Sequence, residues 1–92
     1  MKLLVNFTSR FKKDLKLAEK QHKNTDELFS VIEKLANREP LEEKYRDHSL
    51  KGEYINCREC HIEPDFLLVY QIFEQELILL LVRVGSHSEL FK

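Results

Sequence analysis

Apolar positions divide the chain into two halves with different periods. Near the start, Leu3, Val5 and Phe7 alternate with Leu4 and Asn6, a period-two pattern that suits a short strand. Thr8 and Ser9 then offer a helix cap, and Phe11, Leu15 and Ala18 recur at helical spacing through about Gln21. Asn24, followed three positions later by Glu27, resembles a capping box for a second helix. Its stripe is the clearest in the chain: Leu28, Val31, Ile32, Leu35 and Ala36 follow the i, i+3, i+4, i+7, i+8 pattern. Pro40 is expected to stop it. The connection between the two helices is short, which predicts an antiparallel hairpin.

After an irregular stretch, 41–47, the period changes. Segments 52–62, 66–73 and 77–84 read as strands, with Pro64-Asp65 turning the first into the second and Glu74-Gln75-Glu76 turning the second into the third. Residues 77–82 are apolar at every position, so this strand is expected to be central, covered on both faces. Gly85 ends it, and a short tail follows. Strand, helix, helix and then consecutive strands predict an α+β fold: a small antiparallel sheet of four to five strands with the helical hairpin on one face. The opposite face would be partly open, a place to lay an extended ligand.

Ninety-two residues with no dividing linker predict a single domain spanning 1–92. Hydrophobic residues at 42% and charged residues at 34% describe an ordinary globular composition. No apolar run approaches the roughly 20 residues of a bilayer span, and the start turns polar too early for a signal peptide. The expectation is a cytoplasmic protein with no membrane partner. The formal net charge of −1 is uninformative, but its distribution is uneven. Residues 1–46 hold 11 Lys+Arg against 8 Asp+Glu, and residues 47–92 hold 4 against 8. The basic excess lies on Arg10, Lys12, Lys13, Lys16, Lys20 and Lys23, either a solvated helix face or a footprint for RNA.

Four histidines are the main chemical candidates. His22 has no suggestive company and reads as surface. His48, His61 and His87 each lie within four positions of acids or arginines. On a regular strand, Glu59 and His61 share one face while Arg58 and Cys60 share the other. Arg83 ends the expected central strand, and His87 follows through a glycine turn, so strand ends can bring these groups together. Cys57 and Cys60 form a CxxC, but no knuckle turn supplies the geometry zinc needs, and both are expected to be reduced bystanders. Nothing resembles a phosphate loop or a dinucleotide fingerprint, so no cofactor is expected.

Three ordered motifs then narrow the reading. They are Tyr45-Arg46-Asp47-His48-Ser49-Leu50-Lys51-Gly52, then Arg58 through Tyr70 with His61-Ile62-Glu63-Pro64-Asp65 at its centre, then Arg83-Val84-Gly85-Ser86-His87-Ser88-Glu89-Leu90-Phe91. Together they resemble the YafQ-like branch of the bacterial RelE/ParE toxins, and Phe11 to Lys16 adds to the likeness. The chain departs from the family pattern at Ser49 and Phe66, where relatives often carry Pro and Trp. The resemblance implies a small toxin that cleaves mRNA in the ribosomal A site without a metal ion and is masked by a cognate antitoxin. By motif position it implies catalytic roles for His48, His61, Asp65, Arg83 and His87, and RNA contacts through Arg83 and Phe91. Lys51 and Arg58, cations within the same motifs, are taken as further RNA contacts.

The residue types suit that chemistry. Metal-free RNA cleavage by a 2′-hydroxyl needs a base, an acid for the departing 5′-oxygen and positive charge at the phosphate. Histidine, with an unperturbed pKa near ~6.5, serves as either acid or base. The arginine fork matches two phosphate oxygens, and Phe91 can stack on a base. The expected assignment is His87 as general acid, Arg83 as phosphate stabiliser, Asp65 or His48 activating the 2′-hydroxyl, and His61 orienting substrate or sharing the proton. The bland readings are Arg83 as an ion-pair partner of Glu59 or Glu63, Asp65 as a turn residue and Phe91 as a core plug. Alternative functions on the same scaffold are a ParE-like toxin that inhibits DNA gyrase by binding, or a degenerate antitoxin-binding regulator.

Overall fold

Strand β1 (Leu4–Phe7) leads into helix α1 (Ser9–Lys20) through Thr8. The Thr8 hydroxyl accepts the Phe11 N–H at 3.0 Å and donates to the Val82 carbonyl at 2.7 Å, so one side chain caps the helix and pins it to the sheet. Helix α2 (Thr25–Ala36) begins at Asn24, whose side-chain oxygen accepts the Glu27 N–H at 3.1 Å. The structure, a computed structural model, describes residues 2–91.

Helix α1 ends at about Gln21 as expected, whereas α2 ends sooner than Pro40 suggests. At the end of α1, His22 adopts a left-handed φ of 58°, and Lys23 N–H returns to the Ala18 carbonyl. At the end of α2, which stops at Ala36 rather than at Pro40, Arg38 adopts φ 61° and Glu39 N–H returns to the Lys34 carbonyl. These are Schellman endings built without the usual glycine.

Strands β2 (His48–Ser49), β3 (Arg58–Glu63), β4 (Phe66–Phe73) and β5 (Ile78–Gly85) follow, and a four-residue helix α3 (His87–Leu90) ends the described chain. The expected strand over 52–62 is broken: Gly52–Tyr54 is a 3-10 turn and Asn56 has φ 75°, which delays the strand to Arg58. The sheet order is β1-β5-β4-β3-β2. The fold class is the expected α+β, and β5 is central. The sheet is mixed, however, because β1 lies parallel to β5 while every other pair is antiparallel. The β4–β5 hairpin uses one edge of β5, and β5 takes β1 on the other.

One face of the sheet carries the main core. Cys60, Ile62, Leu68, Tyr70, Leu79, Leu81 and Val84 meet Phe11 and Ala18 of α1 and Leu28, Val31 and Leu35 of α2. The other face is only partly open. Leu67 and Val69 are fully buried there, in a second small cluster with Cys57 and Leu90 that Leu50, Tyr54 and Val82 flank. Helix α3 can lie this close because residue 85 is glycine. A Cβ there would meet Glu89 Oε1 at 3.0 Å and Leu90 Cδ2 at 3.4 Å.

β1 reaches along β5 only to Leu81, so the outer edge of β5 beyond it would be bare. Helix α1 covers that edge with Asp14. Its Oδ2 accepts the Val84 N–H at 3.2 Å and Arg83 Nε at 2.6 Å, and its Oδ1 accepts Arg83 Nη2 at 3.0 Å. The two side chains are only 10% and 14% exposed. Loss of one partner of such a pair leaves a buried charge and costs about 3 kcal/mol or more. Asp14→Ala is therefore expected to lower unfolding stability by about 3 kcal/mol in urea titration, whereas Glu74→Ala, which breaks the exposed Arg38–Glu74 pair, costs under about 1 kcal/mol. Equal effects from the two substitutions would contradict the clamp.

Candidate active site

Sheet register places the functional side chains in two rows across the second face. Glu59 pairs with Val69, which pairs with Arg83; His61 pairs with Leu67, which pairs with Gly85. Directly paired residues share a face, so Glu59 and His61 stand on one side of the Leu67–Val69 floor and Arg83 on the other. With strands about 4.8 Å apart, the Glu59 and Arg83 backbones are roughly 10 Å apart. His48, paired with Glu59 across β2 and β3, extends the first row. Gly85 leads directly into Ser86 and His87.

The first group is two imidazoles on one carboxylate. Glu59 Oε1 lies 3.4 Å from His48 Nε2 and 3.5 Å from His61 Nε2, and the two rings are 6.2 Å apart. Glu59 is 3% exposed. His48 Nδ1 lies 2.6 Å from the Arg46 carbonyl, which can only accept, so Nδ1 carries a proton. In the neutral ring, Nε2 then turns its lone pair toward the Glu59 carboxylate. At 3.4 Å that nitrogen can take up a proton, leaving an imidazolium that Glu59 stabilises, or bind a metal ion. The donor atoms of His48, Glu59 and His61 lie within 4.8 Å of one another. Two imidazoles and a carboxylate are a donor set that suits Zn²⁺, Cu²⁺ or Ni²⁺.

The second group is cationic and aromatic. Asp14 pushes the Arg83 guanidinium further into its charged form through its hydrogen bonds, against the opposing effect of burial, and Tyr54 reinforces it. The partner of Arg83 is thus Asp14 of α1, neither Glu59 nor Glu63. The Tyr54 ring meets Phe91 edge-on at 5.7 Å, and Phe91 meets the His87 ring at 5.2 Å. Helix α3 is held by a capping box: Ser86 Oγ accepts Glu89 N–H, and the Glu89 carboxylate accepts Ser86 N–H at 2.8 Å, which lowers the pKa of Glu89. Asp65 Oδ1 accepts the His87 N–H at 3.0 Å, tying the β3–β4 turn to α3. His87 itself is exposed.

The remaining candidates are placed apart from these groups. Arg58 turns to the helix-covered face, where Nε lies 3.3 Å and Nη2 3.2 Å from the Asp47 carboxylate, which also accepts the Tyr70 hydroxyl. Burial and Asp47 push the Tyr70 pKa upward. Lys51 is exposed beside the 3-10 turn. Cys57 and Cys60 are free and buried in different clusters, and burial raises both thiols, Cys60 to about 12. Glu59, Tyr54 and Asp14 are the participants that motif reading left out. Strand alternation put Glu59 beside His61, but nothing local indicated that it would be buried between two histidines.

A fold of this size with two histidines on a buried carboxylate, an anchored arginine and a histidine-bearing C-terminal turn defines a small α+β protein with a polar, nuclease-like face. The profile of the bacterial toxin of type II toxin–antitoxin systems, YafQ, matches residues 3–92. The mRNA interferase toxin YafQ of Escherichia coli K12 is 35% identical over 88 residues, covering 95% of this chain and 94% of the relative. A crystal structure of a metal-bound toxin from Helicobacter pylori is 50% identical, covers 97% of this chain and 99% of its own, and superposes with a TM-score of 0.91. The toxin in the E. coli DinJ–YafQ toxin–antitoxin complex is 33% identical over 100% of both chains, with a TM-score of 0.89. The chain belongs to the YafQ family of type II toxins.

The donor geometry has a direct consequence. Titration of the protein with Zn²⁺ or Cu²⁺ should show one site, and Glu59→Ala should weaken it about 10- to 100-fold, while His87→Ala leaves it unchanged. Unaltered affinity in Glu59→Ala would place any ion elsewhere.

Proposed function

We propose that this toxin is an mRNA interferase: an endoribonuclease that cuts mRNA on the ribosome, inhibits translation, and is masked by a cognate antitoxin. Its relative in E. coli is named for that activity, and a YafQ toxin has been crystallised with the antitoxin DinJ. The observation that carries the proposal is the pair of rows flanking Leu67 and Val69, with the histidine–carboxylate group on one side and Arg83, His87 and Phe91 on the other. Among the described residues no helix is long and apolar enough to cross a membrane, which fits work on cytoplasmic ribosomes.

The chemistry is attack of a 2′-hydroxyl oxygen on the adjacent phosphorus. The new O–P bond closes a 2′,3′-cyclic phosphate, the P–O5′ bond breaks, and the 5′-oxygen leaves with a proton. His48, with Nδ1 held by the Arg46 carbonyl, presents Nε2 as the base, and Glu59 steadies the imidazolium that forms. Asp65, an exposed residue, is the second candidate base; its Oδ1 is engaged by the His87 backbone. His61 shares Glu59 with His48 and orients the substrate or relays the proton. Arg83, whose fork is partly taken by Asp14, offers its remaining guanidinium hydrogens to the phosphate. His87 protonates the leaving oxygen, and Phe91 beside it stacks on a base.

A metal ion on His48, Glu59 and His61 is a second reading of the same residues, favoured by the H. pylori toxin solved with metal bound. Such an ion would occupy the lone pairs that proton transfer requires, so the two uses compete.

The test is single-turnover cleavage of ribosome-bound mRNA. His87→Ala should slow the step by about 10²- to 10⁴-fold with the fold intact by circular dichroism, because His87 is exposed. An unimpaired variant removes His87 from the mechanism. Gyrase inhibition with intact mRNA on induced expression would instead support a gyrase-directed toxin, and no growth effect a degenerate regulator.

A further inference from the structure

One part of the second face stays open. Leu67 and Val69 are covered, but Gln71, Leu80 and Val82, further along the same face, remain half exposed. They floor a hollow of about 380 Å³ whose walls include Tyr54, Arg10 and Arg83. It begins at Arg83 and runs along β5 toward the start of α1, away from His87. None of the motif residues other than Arg83 lies in it.

We infer that this hollow binds a single-stranded RNA nucleotide flanking the scissile phosphate, with Tyr54 as the stacking platform and Arg10 as the cation for its phosphate. The inference rests on the nuclease reading above. Four observations carry it. Tyr54 is already held, its ring edge-on to Phe91 at 5.7 Å, so stacking a base on it costs little ordering. Phe91 and Tyr54 then form consecutive aromatic steps leading out from His87, spaced 5.2 and 5.7 Å, an arrangement suited to successive unstacked bases. The hollow also receives two arginines, Arg83 from β5 and Arg10 from the basic first turn of α1, which extends positive charge from the reacting phosphate to its neighbour. Finally, Gln71 Oε1 faces the Cys57 thiol at 4.0 Å, leaving its amide N–H groups to donate to a base edge. Glu53, also at the hollow, adds an acceptor for a base amino group.

The probe is a 2′-O-methylated RNA trinucleotide of randomised sequence, which cannot be cleaved because the attacking hydroxyl is blocked. In ¹H–¹⁵N correlation spectra it should shift the amides of Arg10, Tyr54 and the Gln71 side chain. Tyr54→Ala should weaken binding roughly 10- to 100-fold, and Tyr54→Phe far less, since stacking needs only the ring. Arg10→Ala changes an exposed side chain on the first turn of α1, outside both buried clusters; it should weaken binding several-fold and reduce its salt dependence. In single-turnover cleavage, Arg10→Ala and Tyr54→Ala should raise the half-saturating concentration more than they lower the saturating rate. Shifts confined to the His48–His61 side, or wild-type affinity in both Arg10→Ala and Tyr54→Ala, overturn the subsite. The titration decides this without cleavage, so a wild-type protein that leaves mRNA intact would defeat the nuclease reading separately.

Discussion

The Asp14 carboxylate closes the one edge of the sheet that β1 leaves bare, and in the same contact it holds the arginine that the active face depends on. A strand edge with unpaired N–H groups invites aggregation or fraying. Here a helix side chain takes the place of a neighbouring strand for Val84, and its second oxygen completes a fork-to-fork pair with Arg83. The guanidinium is thereby fixed in direction before any substrate arrives. An arginine that needed to be ordered by the phosphate would contribute less, because side-chain entropy would be lost at that moment.

The two ends of the active face are held by different means. On the β2–β3 side, sheet pairing sets His48 opposite Glu59, and the carbonyl of Arg46, a residue in left-handed conformation, orients the ring. On the β5 side, the Ser86–Glu89 capping box and the Asp65 carboxylate hold a helix of only four residues that carries His87 and is followed by Phe91. That helix is too short to be stable by itself. Leu90 anchors it to Leu67 and Val69, and Gly85 allows the approach. The small second cluster therefore serves as the foundation of the site rather than as a continuation of the main core.

Periodicity made the two helices, β4, and the central position of β5 legible, because each has a long apolar pattern with one interpretation. It could not show that β1 joins β5 in parallel, since alternation identifies a strand and says nothing of its neighbour. The end of α2 was misjudged because Arg38 takes the left-handed conformation that is usually sought at glycine. The break in 52–62 escaped for the same reason at Asn56. Helix α3 was read as a short tail, because four residues are too few for any periodic signal. In the site, motif likeness pointed to His48, His61, Asp65, Arg83 and His87, whereas the burial of Glu59 between two imidazoles is a property of register. Asp14 is 69 residues from Arg83, out of reach of any local reading. Arg58 looked like an RNA contact by motif, and the structure instead gives it Asp47 as a partner on the helix-covered face.

The central claim is that this face cleaves RNA by using the substrate's own 2′-hydroxyl, with histidines moving the protons. The most direct measurement is cleavage of ribosome-bound mRNA carrying one 2′-deoxy nucleotide on the 5′ side of the cut position, with end analysis of the unmodified control. Loss of cutting at that position alone, with 2′,3′-cyclic phosphate and 5′-hydroxyl ends in the control, is the predicted result. Continued cutting at the 2′-deoxy position, or 5′-phosphate ends, would contradict it.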